Sequence, residues 1–254
     1  MAVIKSKEDI DNMRESGKRL SFVLKEVAKA VKVGVNTRDL DKLAHELIVK
    51  GGDAPAFLNY TPEGAERKYP ATLCVSVNNE VVHGIPTENN KVLREGDIVG
   101  LDLGLIHKGM ITDMAVTVPV GKADEEALAL ISTTEKSLYD AIKVSKIGAR
   151  IGDIGQAIVS SVGGRFSIVD ALGGHAVGYK VHEEPYISNI GMAGTGPKIA
   201  LNMALALEPI LNEGGSEVVL SKDGYTFITK DGKRSAHFEH TILITENGPE
   251  ILTL

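Results

Sequence analysis

The sequence predicts an α+β fold made of two pseudo-symmetric halves, and three observations carry the prediction. Pairs of amphipathic helical segments alternate with groups of strand-like segments along the 254 residues. The second helix pair echoes the first at an offset of 114 residues: Lys32-Val33-Gly34, Asp39 and Leu40 correspond to Lys146-Ile147-Gly148, Asp153 and Ile154. No low-complexity linker separates the halves, so residues 1–254 are expected to form a single domain.

The first helix starts at Ser6, a side chain suited to capping, with Asp9 three positions on. Its apolar residues keep helical spacing through Ile10, Met13, Leu20, Val23, Leu24, Val27 and Val31, and Gly34 stops it. A second helix follows Thr37 through Leu40, Leu43, Leu47 and Ile48 and ends at Gly51-Gly52. In the second half, helices are expected over 124–144 and 153–162, the latter closed by Gly163-Gly164. Strands are expected at 71–77, 98–106 and 110–118, then at 166–171, 204–207, 225–228 and 238–245. The stretches 59–69 and 188–197 read as loops.

Composition narrows the function. A chain that is 43% hydrophobic and 24% charged has the makeup of a folded globule, which excludes a disordered one. With Cys74 as its single cysteine it can form no internal disulfide and no cysteine-based zinc knuckle, which suits a reducing compartment. A formal net charge of −6 and the lack of a long Lys/Arg block leave no electrostatic footprint for duplex nucleic acid. The first residues turn polar too early for a secretion signal and no later apolar run is long enough to span a membrane, so a cytoplasmic protein without a membrane partner is expected.

The chemistry concentrates in a few apolar segments. If His107 and Lys108 form the turn of a hairpin, Asp102 on one strand stands opposite Asp113 on the other. Opposed side chains on antiparallel strands have Cβ atoms about 4.5–5.5 Å apart. Two like charges that close, in apolar surroundings, need a shared proton, a basic partner or a metal ion. Gly100 and Gly104 share the strand face of Asp102 and leave space above it, which an ion with bound water requires. His175 lies between Gly174 and Gly178, which let another group approach closely, and His182 follows it. Glu208 and Glu239 sit in strand-like apolar sequence, where an uncompensated carboxylate is costly. Four ionised carboxylates balance two divalent cations, and oxygen-rich donors with one imidazole suit Mn, Fe(II), Co or Zn.

Taken in order, the motifs Ser76-Val-Asn-Asn-Glu-Val-Val-His83-Gly-Ile-Pro86, Asp102 with Asp113, Gly174-His175, His182-Glu-Glu-Pro185, Glu208-Pro209 and Phe238-Glu239-His240-Thr241 closely resemble those of the bacterial type I methionine aminopeptidases. The resemblance covers nearly the whole chain and implies the pita-bread fold, an antiparallel sheet core covered by helix pairs. It implies a dinuclear-metal enzyme that removes the N-terminal methionine of nascent polypeptides with a small second residue, by attack of metal-activated water on the first peptide bond. Asp102, Asp113, His175, Glu208 and Glu239 would hold the two divalent ions, with Asp113 and Glu239 bridging. His83 and His182 would contact substrate at the scissile bond, with His83 a candidate for proton transfer and Glu208 placed to shuttle a proton. Tyr69, Cys74 and Tyr225, with Phe57 and Tyr60 nearby, would line the methionine pocket. Cys74 reads equally well as a soft pocket wall and as a plain core cysteine.

Three positions depart from the family pattern. The 59–69 loop is longer than the family's short turn, Val181 stands where an aromatic residue commonly precedes the second histidine, and Ala176 replaces the glycine after His175. These bear on substrate fit and rate and leave the ligand set whole. The interval from His175 to Glu208 has no room for the helical insertion of type II enzymes. Proline-directed dipeptidases share fold and ligands but typically carry a further N-terminal domain, for which the helix at Ser6 leaves no space. A metal-free binding protein on this fold would be expected to lack ligands, and none is missing. The ligand types leave the identity of the metal open, a monomer is the default expectation, and docking to the ribosome would suit the function without a motif to mark it.

Overall fold

A computed structural model describes Val3, Ile4 and residues 6–254; the reading of the first residues falls partly on Met1, Ala2 and Lys5, outside the described residues. Helix α1 spans Lys7–Ala30, and the Ser6 hydroxyl caps it by accepting from the Asp9 amide at 3.0 Å. Helix α2 spans Thr37–Lys50, capped by Asn36, whose side-chain oxygen accepts from the Arg38 amide. Helix α3 spans Glu125–Val144 behind the Asp124 cap. Helix α4 spans Ile151–Val162 and starts earlier than expected, because Asp153 belongs to its first turn and accepts from the Arg150 amide at 2.7 Å.

The backbone carries the repeat. Helix α1 ends at Ala30 and α3 at Val144, while α2 begins at Thr37 and α4 at Ile151, each separated by the offset read from the sequence. Gly34 and Gly148, which turn the two pairs, have φ of 88° and 86°, a region that only glycine enters freely. Each donates its amide to a later segment of its own half, Gly34 to the Leu93 carbonyl and Gly148 to that of Ile199.

One nine-stranded antiparallel sheet runs through both halves. Its order is Ala54–Pro55, Ile98–His107, Met110–Pro119, Glu239–Thr245, Ala204–Leu207, Gly173–Ala176 and Glu183–Ser188, with Leu73–Val77 also paired to Ile98–His107 and Gly248–Ile251 to Glu239–Thr245. The first-half hairpin thus lies against Glu239–Thr245 of the second half, and the halves join in the middle of the sheet. Strand alternation gives the sheet two unlike faces. Leu101, Leu103, Leu105 and Met114 pack under Leu20, Val23, Leu24 and Val27 of α1, and Leu205, Leu207, Ile242 and Ile244 pack under Leu130, Leu138, Ile154 and Ile158 of α3 and α4. Each such leucine or isoleucine contributes roughly 1.5–3 kcal/mol on burial. The opposite face carries Asp102, Asp113, His175 and Glu239, and two three-stranded sheets complete the strands of the described residues.

The hairpin register corrects one expectation. His107 pairs with Met110, so Lys108 and Gly109 form the turn, with φ of 46° and 82°. A two-residue turn that matches strand twist needs positive φ at both central positions, and Gly109 supplies the second without steric cost, whereas His107-Lys108 contains no glycine. Asp102 therefore stands opposite Ala115, and Asp113 opposite Gly104. The aspartates remain on one face as diagonal neighbours rather than as a directly opposed pair. Among the other expected strands, Ala204–Leu207 matches, 238–245 loses its first residue, 166–171 shrinks to Ser167–Ile168 and 225–228 shifts to Phe227–Thr229. No helix among the described residues is long and apolar enough to cross a membrane.

Candidate metal centre

The register gathers the five expected ligands. Asp102, Ala115 and Glu239 form one cross-strand row, and Asp113 lies two residues from Ala115 on the same face. The neighbouring row on that face holds His175, Ala206 and Thr241. Glu208 follows the end of Ala204–Leu207, with Oε1 3.6 Å from His175 Nε2. All five line one cavity together with His83 and His182. Donor atoms of Asp113, His175 and Glu239 lie within 4.8 Å of one another.

Local bonds hold these groups in place. The ladder between Met110–Pro119 and Glu239–Thr245 pairs only Ala115 with Glu239 and Met114 with His240. Beyond it the Thr241 hydroxyl takes over, accepting from the Asp113 amide and donating to the Asp113 carbonyl, both at 2.8 Å. His175 Nδ1 donates to the Ala176 carbonyl at 3.0 Å, which fixes the proton there and leaves the Nε2 lone pair facing the acids.

The electrostatics are unbalanced by protein groups alone. Among the described residues no Lys or Arg lines the cavity, so none of them supplies the basic partner that the sequence left open. Burial raises the Asp113 carboxyl to about 7. Burial first, and the Asp113 charge next, raise Asp102 and Glu239 well above the carboxylate range. Burial, then the charges of Asp102 and Asp113, do the same to Glu208. Burial, with His182 nearby, lowers His175 to about 3. Asp102 Oδ1 and Glu239 Oε1 are buried without a hydrogen-bond partner. Orphaned carboxylate oxygens beside an imidazole of fixed tautomer are the donor set a pair of divalent cations requires.

Beside the acids the cavity turns apolar. Phe57, Tyr60, Tyr69, Cys74 and Tyr225 line it, and the Tyr69 and Tyr225 rings meet edge to face with centroids 5.2 Å apart. Tyr69 donates its hydroxyl to the Gly84 carbonyl at 2.8 Å. Cys74 pairs directly with Asp102, and burial and that carboxylate push its thiol well up, so it is a neutral wall and not a nucleophile. His83 has φ of 59°, an unfavourable setting for a side chain, at the edge of the same cavity. Burial lowers its pKa to about 4. At the exposed mouth, Tyr60 Oη lies 2.9 Å from His182 Nδ1. The longer 59–69 loop is tied down by Arg67, which grips both Glu88 oxygens at 2.6 and 2.8 Å and the Asp223 carbonyl at 2.8 Å.

Gly104 does not leave the open space expected of it. A Cβ there would fall 2.7 Å from Phe57 Cε1 and 2.9 Å from Ala56 Cβ, whereas Gly100 has no neighbour closer than 3.6 Å. The ring of Phe57 fills that space and closes the pocket against Asp113's strand partner. Gly104→Ala is therefore expected to displace Phe57, lowering stability by about 1–3 kcal/mol. Denaturant titration and the KM for a cavity-binding substrate, which should rise, check this.

One further residue stands at the site that the sequence did not mark. His237, two positions before Glu239, is buried with Nε2 3.6 Å from Glu208 Oε2.

Known proteins resemble this chain along nearly its whole length. The profile of metallopeptidase family M24 matches residues 11–246. The methionine aminopeptidase of Aquifex aeolicus (strain VF5) is 43% identical over 251 residues, covering 98% of this chain and 97% of that protein. The structure of methionine aminopeptidase from Thermotoga maritima matches with a TM-score of 0.94 at 43% identity, over 100% of this chain and 99% of that one. The prolidase from Pyrococcus horikoshii OT3 matches with a TM-score of 0.75 at 20% identity, over 99% of this chain and 63% of that one, a likeness of fold alone. The shared architecture is the expected pita-bread fold.

Proposed function

The chain belongs to metallopeptidase family M24, with methionine aminopeptidases as its relatives, and on that premise we propose that it removes N-terminal methionine from polypeptides whose second residue is small. The observation that carries this reading is the single cavity in which Asp102, Asp113, His175, Glu208 and Glu239 stand beside His83, His182 and an apolar wall of Phe57, Tyr69, Cys74 and Tyr225. Those five donors would hold two divalent ions, which supply Lewis-acid and water-activating chemistry when bound.

The chain's own groups do the rest. The apolar wall accepts a methionine side chain, with the Cys74 thiol offering a polarisable contact to its sulfur. Glu208, at the boundary between the acids and the outer groove, accepts and returns a proton. His83 and His182, both lowered by burial, are neutral near pH 7 and hydrogen-bond the substrate's first peptide without adding charge. His83 is the proton-transfer candidate. Tyr60 holds the far nitrogen of His182 and so orients the ring. In this reading the protein acts as a single-domain cytoplasmic monomer of the bacterial type I class on nascent chains, at or near the ribosome.

The test is release of free methionine from Met-Ala-Ser and cleavage of Ala-Pro-Ser by metal-stripped protein supplied with Mn, Co, Fe(II) or Zn. Methionine release that requires metal is expected, with Ala-Pro-Ser left intact. His83→Ala is expected to lower kcat by about 10²–10⁴-fold with a smaller change in KM. No release with any metal, by protein that still binds metal, would replace this reading with a binding protein; cleavage only before proline would replace it with a dipeptidase.

A further inference from the structure

His237 ends the short strand Ser235–His237, where it pairs with Ile210 just beyond Glu208. Its backbone is pinned: the amide donates to Thr117 Oγ1 at 2.9 Å and the carbonyl accepts from the same hydroxyl at 2.8 Å. Its side chain is buried, and Nε2 has no hydrogen-bond partner. That nitrogen lies 3.6 Å from Glu208 Oε2 and 3.8 Å from Glu239 Oε2. The other oxygen of Glu208 is 3.6 Å from His175 Nε2, so the carboxylate sits between two imidazoles at equal spacing.

That spacing is too long for a hydrogen bond. It is close to the ~3.0–3.4 Å that separates two donors each about 2.1 Å from one shared ion. The donor atoms fall into two groups of three, Asp113 with His175 and Glu239, and Glu208 with His237 and Glu239, each group within 4.8 Å. Each group contains one imidazole, and Glu239 belongs to both.

We propose that His237 is a sixth protein ligand of the metal centre, so that two imidazoles, His175 and His237, serve it instead of one. The proposal rests on the reading of this cavity as a dinuclear site. A neutral ligand leaves the charge balance of four carboxylates and two divalent ions intact. It also adds nitrogen, which shifts preference toward Zn, Co and Fe(II) relative to Mn.

X-ray absorption at the cobalt edge, on full-length protein loaded with two equivalents of Co(II), tests this. The unmodified protein is expected to show two imidazoles per metal pair, falling to one in His237→Gln and to one in His175→Gln. Calorimetric titration of stripped His237→Gln with Co(II) is expected to show one of the two sites weakened about 10-fold or more. A count of one imidazole in the unmodified protein would overturn the proposal whether or not a variant folds. A count unchanged by His237→Gln but lowered by His175→Gln would overturn it while leaving the metal centre standing. A count unchanged by both would overturn the dinuclear reading as well.

Discussion

Asp113→Asn is expected to abolish metal-dependent methionine release and, at the same time, to make the metal-free protein more stable. Asp113 belongs to one donor group with His175 and Glu239, and its charge raises the carboxyls of Asp102, Glu208 and Glu239 alike. Replacing one oxygen by an amide nitrogen removes a carboxylate donor from that group while Asn can still accept from the Met114 amide, as Asp113 Oδ1 does at 3.0 Å. With metal in excess, kcat/KM should fall by about 10²–10³-fold or more, the scale of losing one group that stabilises developing charge. Without metal, the repulsion among the remaining acids eases, and at pH 8 the variant should melt several degrees above the parent, at about 2–4 °C per kcal/mol. Adding a saturating divalent ion should reverse that order. A variant less stable than the parent with and without metal would contradict the account.

The second large effect is the pH dependence of the stripped protein. Asp113 is raised to about 7 in the folded chain, and Asp102, Glu208 and Glu239 are held well above the ordinary carboxylate range, by burial first and then by neighbouring carboxylate charges. Each binds its proton more tightly folded than unfolded. Their contribution is therefore complete below the unfolded pKa of about 4 and is lost as pH rises through the folded values. The buried histidines have the opposite sign. His83 and His240 are lowered to about 4, and His175 and His237 to about 3, so their contribution is present above about 6.5 and lost as pH falls. The two sets oppose each other in the acid range; above about pH 7 the carboxyls act without the histidines, and the buried Cys74 thiol, also raised, adds to them with the same sign. The melting temperature of stripped protein is expected to fall from pH 7 to 9, and a saturating divalent ion, which takes the place of the protons, should flatten the profile. Calorimetric scans across that range decide the matter; a stripped protein whose midpoint is level or rising would sink the argument.

Much of this was legible in the sequence because the signals were local. Ser6 caps the helix it is suited to cap, the third helix begins directly after Asp124, and the shared 114-residue offset reappears at Gly34 and Gly148. The four acids stood out because carboxylates inside apolar strands demand compensation wherever the strands go, whereas His175 joined them through the family resemblance. What escaped was non-local. Phe57 fills the space over Gly104 from 47 positions away in the chain, and no local pattern announces that. Gly173–Ala176 and Glu183–Ser188 carry little β signal, with two glycines in one and Glu-Glu-Pro in the other; pairing of His175 with Ala206 imposes the first and pairing of Gly174 with Ile187 the second. His237 looked like any histidine until its strand paired with Ile210 and set it beside Glu208. The hairpin turns one residue later than His107-Lys108 because Gly109 takes positive φ without steric cost, a preference that the alternation of the flanking strands does not reveal.

The seam in the middle of the sheet makes catalysis depend on the completeness of the chain. Asp102 and Asp113 come from one half, His175, Glu208 and Glu239 from the other, and Glu239 is the last of them to be synthesised. A polypeptide cut short before Glu239–Thr245 has the whole apolar wall but only three of the four acids, and one in which that strand has not yet slotted beside Met110–Pro119 has all four acids without the register that gathers them. If those residues form the metal centre, broken or unfinished copies are expected to be inert rather than unselective, with hydrolytic power arriving only with the finished molecule.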